Sequence, residues 1–242
     1  MSLTYRHRSP RMIQRGQTVS LSCDVFDASS AQQTATAATF TLLSGSKTVV
    51  DAAAASSLGP PASYTLADSI TASESLSDRW LERWAQTIGG TVHTFERQAF
   101  LVRNALRPVI TDTDLTDLHS DLADLRDDDQ TSFEAQRGAA FDWVQGRLIQ
   151  KGNRPQLILN EWQLAECHRA RTLEIIFNDF AASINANQRY RELADYYREL
   201  AKTEFDSLQL VYDFDEDGKI DEGDHRSGSP VTFLSAPWGA SY

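Results

Sequence analysis

Cysteine is almost missing: Cys23 and Cys167 are the only two in 242 residues. They lie far apart and in different expected structures. That argues against a disulfide framework and leaves ordinary buried thiols, or a reducing compartment, as the expectation. No apolar run approaches the roughly eighteen residues that a membrane span needs. The stretch Met1 to Arg15 holds four Arg and no acid, and no apolar segment follows it, so no secretory signal is expected. Positive charge is scarce overall, with 23 Lys and Arg against 34 Asp and Glu. A sequence-reading nucleic-acid binder needs a basic face, and this balance argues against one. A phosphate loop, a dinucleotide glycine fingerprint, His-Glu-x-x-His and Gly-x-Ser-x-Gly are all missing too. The five histidines are scattered. Cys167 and His168 are neighbours on an expected helix, where their side chains diverge by about 100°. They read as a core Cys beside a surface His, and no enzyme is expected.

What is present suffices for a folded protein: 41% of residues are hydrophobic, enough to bury the cores of two modest domains. The expected class is α+β. Residues 1–15 form a basic N-terminal arm, which either reaches for phosphate or an acidic protein surface or is simply solvated. Residues 16–107 read as strands. Val19, Leu21, Cys23 and Val25 alternate onto one face. Thr39 to Leu43 and Lys47 to Val50 flank the hairpin signature Ser44-Gly45-Ser46, and Tyr64 to Leu66 follows the turn at Gly59-Pro60-Pro61. Trp80 to Ile88 and Thr91 to Val102 flank Gly89-Gly90, a two-residue turn. Short strands with regular turns predict an antiparallel β-sandwich of Ig-like type. Trp80 and Trp84 share a strand face, as core aromatics or as a sugar-binding platform.

Residues 108–212 read as a four-helix antiparallel α-domain with short connections. Thr111 or Thr113 caps the first helix, which carries Leu115, Leu118, Leu122 and Leu125. The second spans Phe133 to Gln150 and stops at Gly152. The third runs from about Asn160 through Phe180, and the fourth from Arg189 to about Leu210. Asp127-Asp128-Asp129 reads as a solvated loop between helices.

Residues 213–224 are the one segment whose spacing demands a particular chemistry. Asp213, Asp215, Asp217, Asp221 and Asp224 fall at positions 1, 3, 5, 9 and 12 of an EF-hand-like calcium loop, with Gly218 at 6 and Ile220 at 8. Alternating carboxylates on a tightly curled loop can aim their oxygens at one point, and Gly218 permits the turn. Lys219 would contribute only its backbone carbonyl. The expected metal set is therefore Asp213, Asp215, Asp217, Lys219, Asp221 and Asp224, holding a structural Ca2+. Position 12 is Asp rather than the longer Glu, and His225 to Pro230 cannot form an exiting helix. The loop is thus half an EF-hand, entered from the fourth helix. The alternative is a solvated acidic turn that binds nothing. Residues 225–242 form an extended C-terminal arm carrying Val231, Phe233, Leu234, Trp238 and Tyr242, an apolar set suited to docking.

The helical half resembles the head-to-tail connector (adaptor, or head-completion) proteins of long-tailed bacteriophages. The residues that carry this are the opening ITDTDLTDL, the closing YRELADYYRELAKTEFDSLQL, Ala139-Ala140, Trp143-Val144, the Gly152-Asn153-Arg154-Pro155 turn and the Tyr196-Tyr197 pair. The resemblance covers roughly residues 108–212 and carries over no catalytic residue. It implies a virion structural protein at the neck, made in the host cytoplasm. It further implies a homo-oligomeric ring, usually a dodecamer, that sits on the portal and presents a platform to the stopper or tail. DNA would pass through the lumen without sequence-specific binding, and no membrane is involved. The β-domain departs from the minimal family pattern and would decorate the ring's outer rim. A competing reading is a calcium-dependent surface or adhesion module that uses the β-sandwich.

Overall fold

The computed structural model describes residues 3–5, 9–124, 126, 130–183, 188–217, 219 and 225–226, without the side chains of residues 183, 225 and 226. Asp127-Asp128-Asp129 and the arm beyond residue 226 lie outside them. The architecture is mixed α+β, strand-rich in the N-terminal half and helical in the C-terminal half.

The strands are β1 (Leu3–Tyr5), β2 (Arg11–Gln14), β3 (Val19–Cys23), β4 (Val25–Asp27), β5 (Ala37–Ser44), β6 (Lys47–Ala54), β7 (Ala62–Leu66), β8 (Ser77–Ile88) and β9 (Thr91–Val102), with a one-turn helix, α1 (Asp68–Thr71), before β8. A five-stranded sheet has the order β2-β9-β8-β5-β6, and β1-β4 and β3-β7 form two small sheets. Gly45 (φ +59°) closes the β5–β6 hairpin. Gly89 (φ +59°) and Gly90 (φ +80°) close β8–β9 with Ile88 opposite Thr91. Two successive left-handed residues make the turn whose twist matches the flanking strands. Along β8 the even face is buried: Trp80, Glu82, Trp84, Gln86 and Ile88. Trp80 and Trp84 pack with Phe40, Leu21, Leu66 and Leu101. Each indole removes enough surface from water for about 4–6 kcal/mol of gross transfer free energy.

Residues 9–15 are not a free arm. β2 is an edge strand paired in parallel with β9, so the five-stranded sheet is not purely antiparallel. The reason is visible residue by residue. Ile13 enters the sheet core, while its neighbour Met12 turns to the helical side. Arg11 meets the buried Glu82 at 2.6 Å and donates to the Ser22 carbonyl. Arg97 donates twice to the Ser9 carbonyl, and the Ser9 hydroxyl donates to Asp142 on the helical side at 3.0 Å. Arg11 and Arg15 are thus both paired with acids of this chain, Glu82 and Glu216.

The helical half contains α2 (Asp112–Thr116), α3 (Glu134–Gln150), α4 (Ala165–Ser183) and α5 (Gln188–Asp206). Thr111 and Asp114 form a capping box on α2, yet that helix lasts only five residues. The expected helix through Leu125 breaks after it, and a 3₁₀ turn at Ser120–Ala123 resumes the path. Dense Asp, a poor helix former, weakens the run. The break lets Leu115 and Leu122 both reach the core, leaves Leu118 exposed and turns His119 onto the Tyr197 hydroxyl at 2.6 Å. α3 ends in a Schellman motif: Gly152 N–H donates to Ile149 and Asn153 N–H to Leu148, with Gly152 at φ +72°. α4 starts at Ala165, later than expected. Asn160 instead caps a 3₁₀ turn at Glu161–Leu164. One core unites Leu115, Leu122, Phe133, Phe177, Phe180 and Tyr190. Another lies at the seam, where Phe141, Val144, Leu148, Ile158 and Tyr212 pack with Met12 and Leu76 from the strand-rich half. No helix among the described residues is long and apolar enough to cross a membrane.

Candidate metal centre

The acidic loop is not entered directly from a helix. α5 stops at Asp206, and Leu210–Val211 form a short strand, β10, paired antiparallel with β11 (His225–Arg226). Val211 stands opposite His225, so residues 212–224 span a hairpin loop whose base is closed by β-pairing. The base is stitched to the turn after α3. Leu159 N–H donates to the Val211 carbonyl, Asp213 N–H donates to the Leu157 carbonyl at 2.9 Å, and the Tyr212 hydroxyl donates to Asn153 Oδ1 at 2.7 Å. These bonds hold the start of the loop in one place, while Phe214, Asp215, Asp217 and Lys219 are exposed.

Asp213, Asp215 and Asp217 are brought together, each offering a carboxylate oxygen within 4.8 Å of the others. Asp213 is fully buried, and Asp215 and Asp217 are exposed. Local bonds curl the loop. Asp215 Oδ1 accepts from Asp217 N–H at 3.1 Å, and Asp217 Oδ1 accepts from Lys219 N–H at 2.7 Å. Glu216 takes a left-handed conformation, φ +59°. Lys219 is exposed, with its ammonium 3.7 Å from Asp217. Asp221 and Asp224, together with Gly218 and Ile220, lie outside the described residues.

Two arginines complete the arrangement, and sequence spacing gave no signal for either in this role. Arg15 and Arg103 each follow the last residue of a strand, β2 and β9. Those strands run parallel with Gln14 opposite Val102, so the two side chains emerge side by side. Arg103 pairs with the buried Asp213 through Oδ2, and Arg15 pairs with Glu216 at 2.8 Å. The loop is therefore clamped to the strand-rich half by two ion pairs, the inner one fully buried on its acid side.

The three aspartates fit a hard divalent cation. Calcium oxygens sit at about 2.3–2.6 Å, so ligands on opposite sides of one ion are about 5 Å apart, which the triad satisfies. Arg103 sets a cost. A cation held by Asp213 shares a buried carboxylate with a guanidinium, and two positive charges on one acid repel.

Burial pushes the Cys167 thiol up to about 12 and the Cys23 thiol well above its ordinary value, so neither is an activated nucleophile. His168 is buried rather than on the surface. Its Nε2 lies 2.9 Å from the Arg137 carbonyl, and burial pushes its pKa down. Trp80 and Trp84 are core residues with 1% and 0% exposure, so they present no platform for a sugar. A cleft of about 330 Å³ opens beside the seam, lined by Gln14, Asn104, Arg107, Asn160, Glu161 and Trp162. Comparison with protein-family models, curated proteins and solved structures gave no match.

Proposed function

We propose that the chain is a non-catalytic virion protein, a phage head-to-tail adaptor. It would form a ring between the portal and the stopper or tail, with DNA leaving through the lumen. The observation that carries this reading is the segment bearing the family resemblance. Residues 108–212 hold three long helices, whose exposed positions include Glu134, Asp179, Asp195 and Glu199. An acidic lumen repels phosphate, so DNA slides instead of sticking. In this reading the strand-rich half is an Ig-like sandwich on the outer rim, and the α-domain counts as four helices with α2 as its shortened first. The adhesion-module alternative has no comparable support, because its aromatic platform is buried. Mass photometry of the purified protein is expected to give a discrete multiple of the 27.0 kDa chain that binds portal protein. A monomer that leaves portal unbound overturns the proposal.

Within it, the hairpin loop is a structural calcium site, with Asp213, Asp215 and Asp217 as its described ligands. Asp221, Asp224 and the Lys219 carbonyl complete the set. Calcium would fix the direction in which residues 227–242 leave the helical half. Calorimetric titration is expected to show one weak site per chain, toward the loose end of the EF-hand range at about 10⁻⁴ to 10⁻³ M. Asp215→Asn with Asp217→Asn should abolish the heat without disturbing the buried Asp213 pair. No heat above buffer at millimolar calcium rejects the site.

A further inference from the structure

In an acidic chain, one face of the helical half gathers cations around aromatic rings. The Arg147 guanidinium lies 5.8 Å from the Trp143 ring centroid and 5.8 Å from that of Phe205. Arg171 also lies over the Trp143 ring, at 5.0 Å, and the Lys151 ammonium over Phe205 at 5.2 Å. Lys151 and Arg171 have carboxylate partners, Asp206 and Glu174. Arg147 makes no side-chain hydrogen bond or ion pair among the described residues, and the nearby Asp206, which feels its charge, is paired with Lys151. Trp143 is only partly buried at the edge of the seam core. A half-covered Trp framed by arginines is the composition that dominates protein interfaces.

A second face has the opposite character. Leu118 is 53% exposed, and Asp117, Asp121 and Asp124 around it are exposed. None of the three acids makes an ion pair among the described residues. His119 ties this face to Tyr197 on α5 and packs against Phe177 on α4. From Tyr197 to Phe205 the helix rises about 12 Å, so the two faces share no residue. Two separate, complementary faces on one chain make a head-to-tail contact, which rotation closes into a ring.

We infer that the Trp143–Arg147 face docks on the Leu118 face of a second copy of this chain. Trp143 and Leu118 supply the apolar centre, and the Arg147 guanidinium, which makes no ion pair within the described residues, meets Asp117, Asp121 and Asp124. The inference rests on the ring proposal and names the subunit contact within it.

The test is self-association of the full chain by sedimentation velocity over a range of concentration and salt. The wild type is expected to assemble, more weakly as salt screens the charges. Arg147→Glu alone, and Asp117→Arg with Asp121→Arg, should each weaken assembly at least tenfold with unchanged circular dichroism. Mixing the two variants should restore it, because each then offers one native and one reversed face to the other. Should Arg147→Glu unfold, Arg147→Gln, which keeps the stem over the rings, reads out the same loss. A wild type that assembles while these variants assemble equally well overturns the contact and leaves the ring standing. A wild type that stays monomeric throughout overturns both.

Discussion

Glu82 lies in the middle of β8 with no exposed side-chain surface, an unusual place for an acid, and takes Arg11 as its partner. Burial pushes its pKa up, with Arg11 and Arg97 pulling the other way without cancelling the rise. A carboxyl whose folded pKa lies above its unfolded value binds its proton more tightly in the folded chain. The destabilisation from burying its charge is therefore absent below the unfolded pKa and fully present above the folded one. Glu82→Gln removes that dependence and leaves only the constant loss of the Arg11 partner. The wild type should lose stability relative to Glu82→Gln as pH rises from about 4 through and beyond the ordinary carboxylate range. Urea midpoints for both proteins across that range check it, and parallel curves reject it. At the same scale, Asp213 and Arg103 are a buried pair on the loop. Asp213→Ala strands a guanidinium that is only 22% exposed, and is expected to cost roughly 3 kcal/mol even in calcium-free buffer. If Asp213 served only as a metal ligand, the loss would appear only with calcium present.

Among the elements, those set by local chemistry were legible in the sequence. Gly89-Gly90 announced the turn between β8 and β9 because no other residue takes two successive positive φ angles so readily. Gly90→Ala should therefore destabilise the protein by about 1 kcal/mol in denaturant unfolding, with Gly90→Asn milder. The α3 boundaries followed from leucine and aromatic spacing and from Gly152. α5 was expected to reach about Leu210, but Leu210 and Val211 leave the helix to pair with residues 225–226 and to meet Leu159. Those partners are distant in sequence, so helical periodicity could not report them. The same holds for the candidate site. The Asp213-x-Asp215-x-Asp217 spacing was legible because the ligands are neighbours. Arg15 and Arg103 were not, because their approach depends on a parallel strand pair between residues nearly ninety apart. The N-terminal arginines looked like a free arm for the same reason.

Over the whole molecule, residues 9–15 hold the two halves in register. They contribute a side chain to the sheet core, another to the seam core, a hydroxyl to α3 and a guanidinium to the acidic loop. Deleting residues 1–15 should split one cooperative thermal transition into two, with the strand-rich half melting first, as differential scanning calorimetry would record. A single transition at an unchanged midpoint would show that the other seam contacts suffice. The parallel pairing of β2 with β9 also imposes an order of events during synthesis. Arg11 to Gln14 are made before the other strands of the five-stranded sheet, yet their partners Ala99 to Val102 come nearly ninety residues later. Until then the strand has no ladder, and closing so long a loop carries an entropic penalty that slows folding. The β8–β9 hairpin can form locally beforehand, so its edge is the template that captures the waiting β2. The first-made strand of the sheet is among the last to join it.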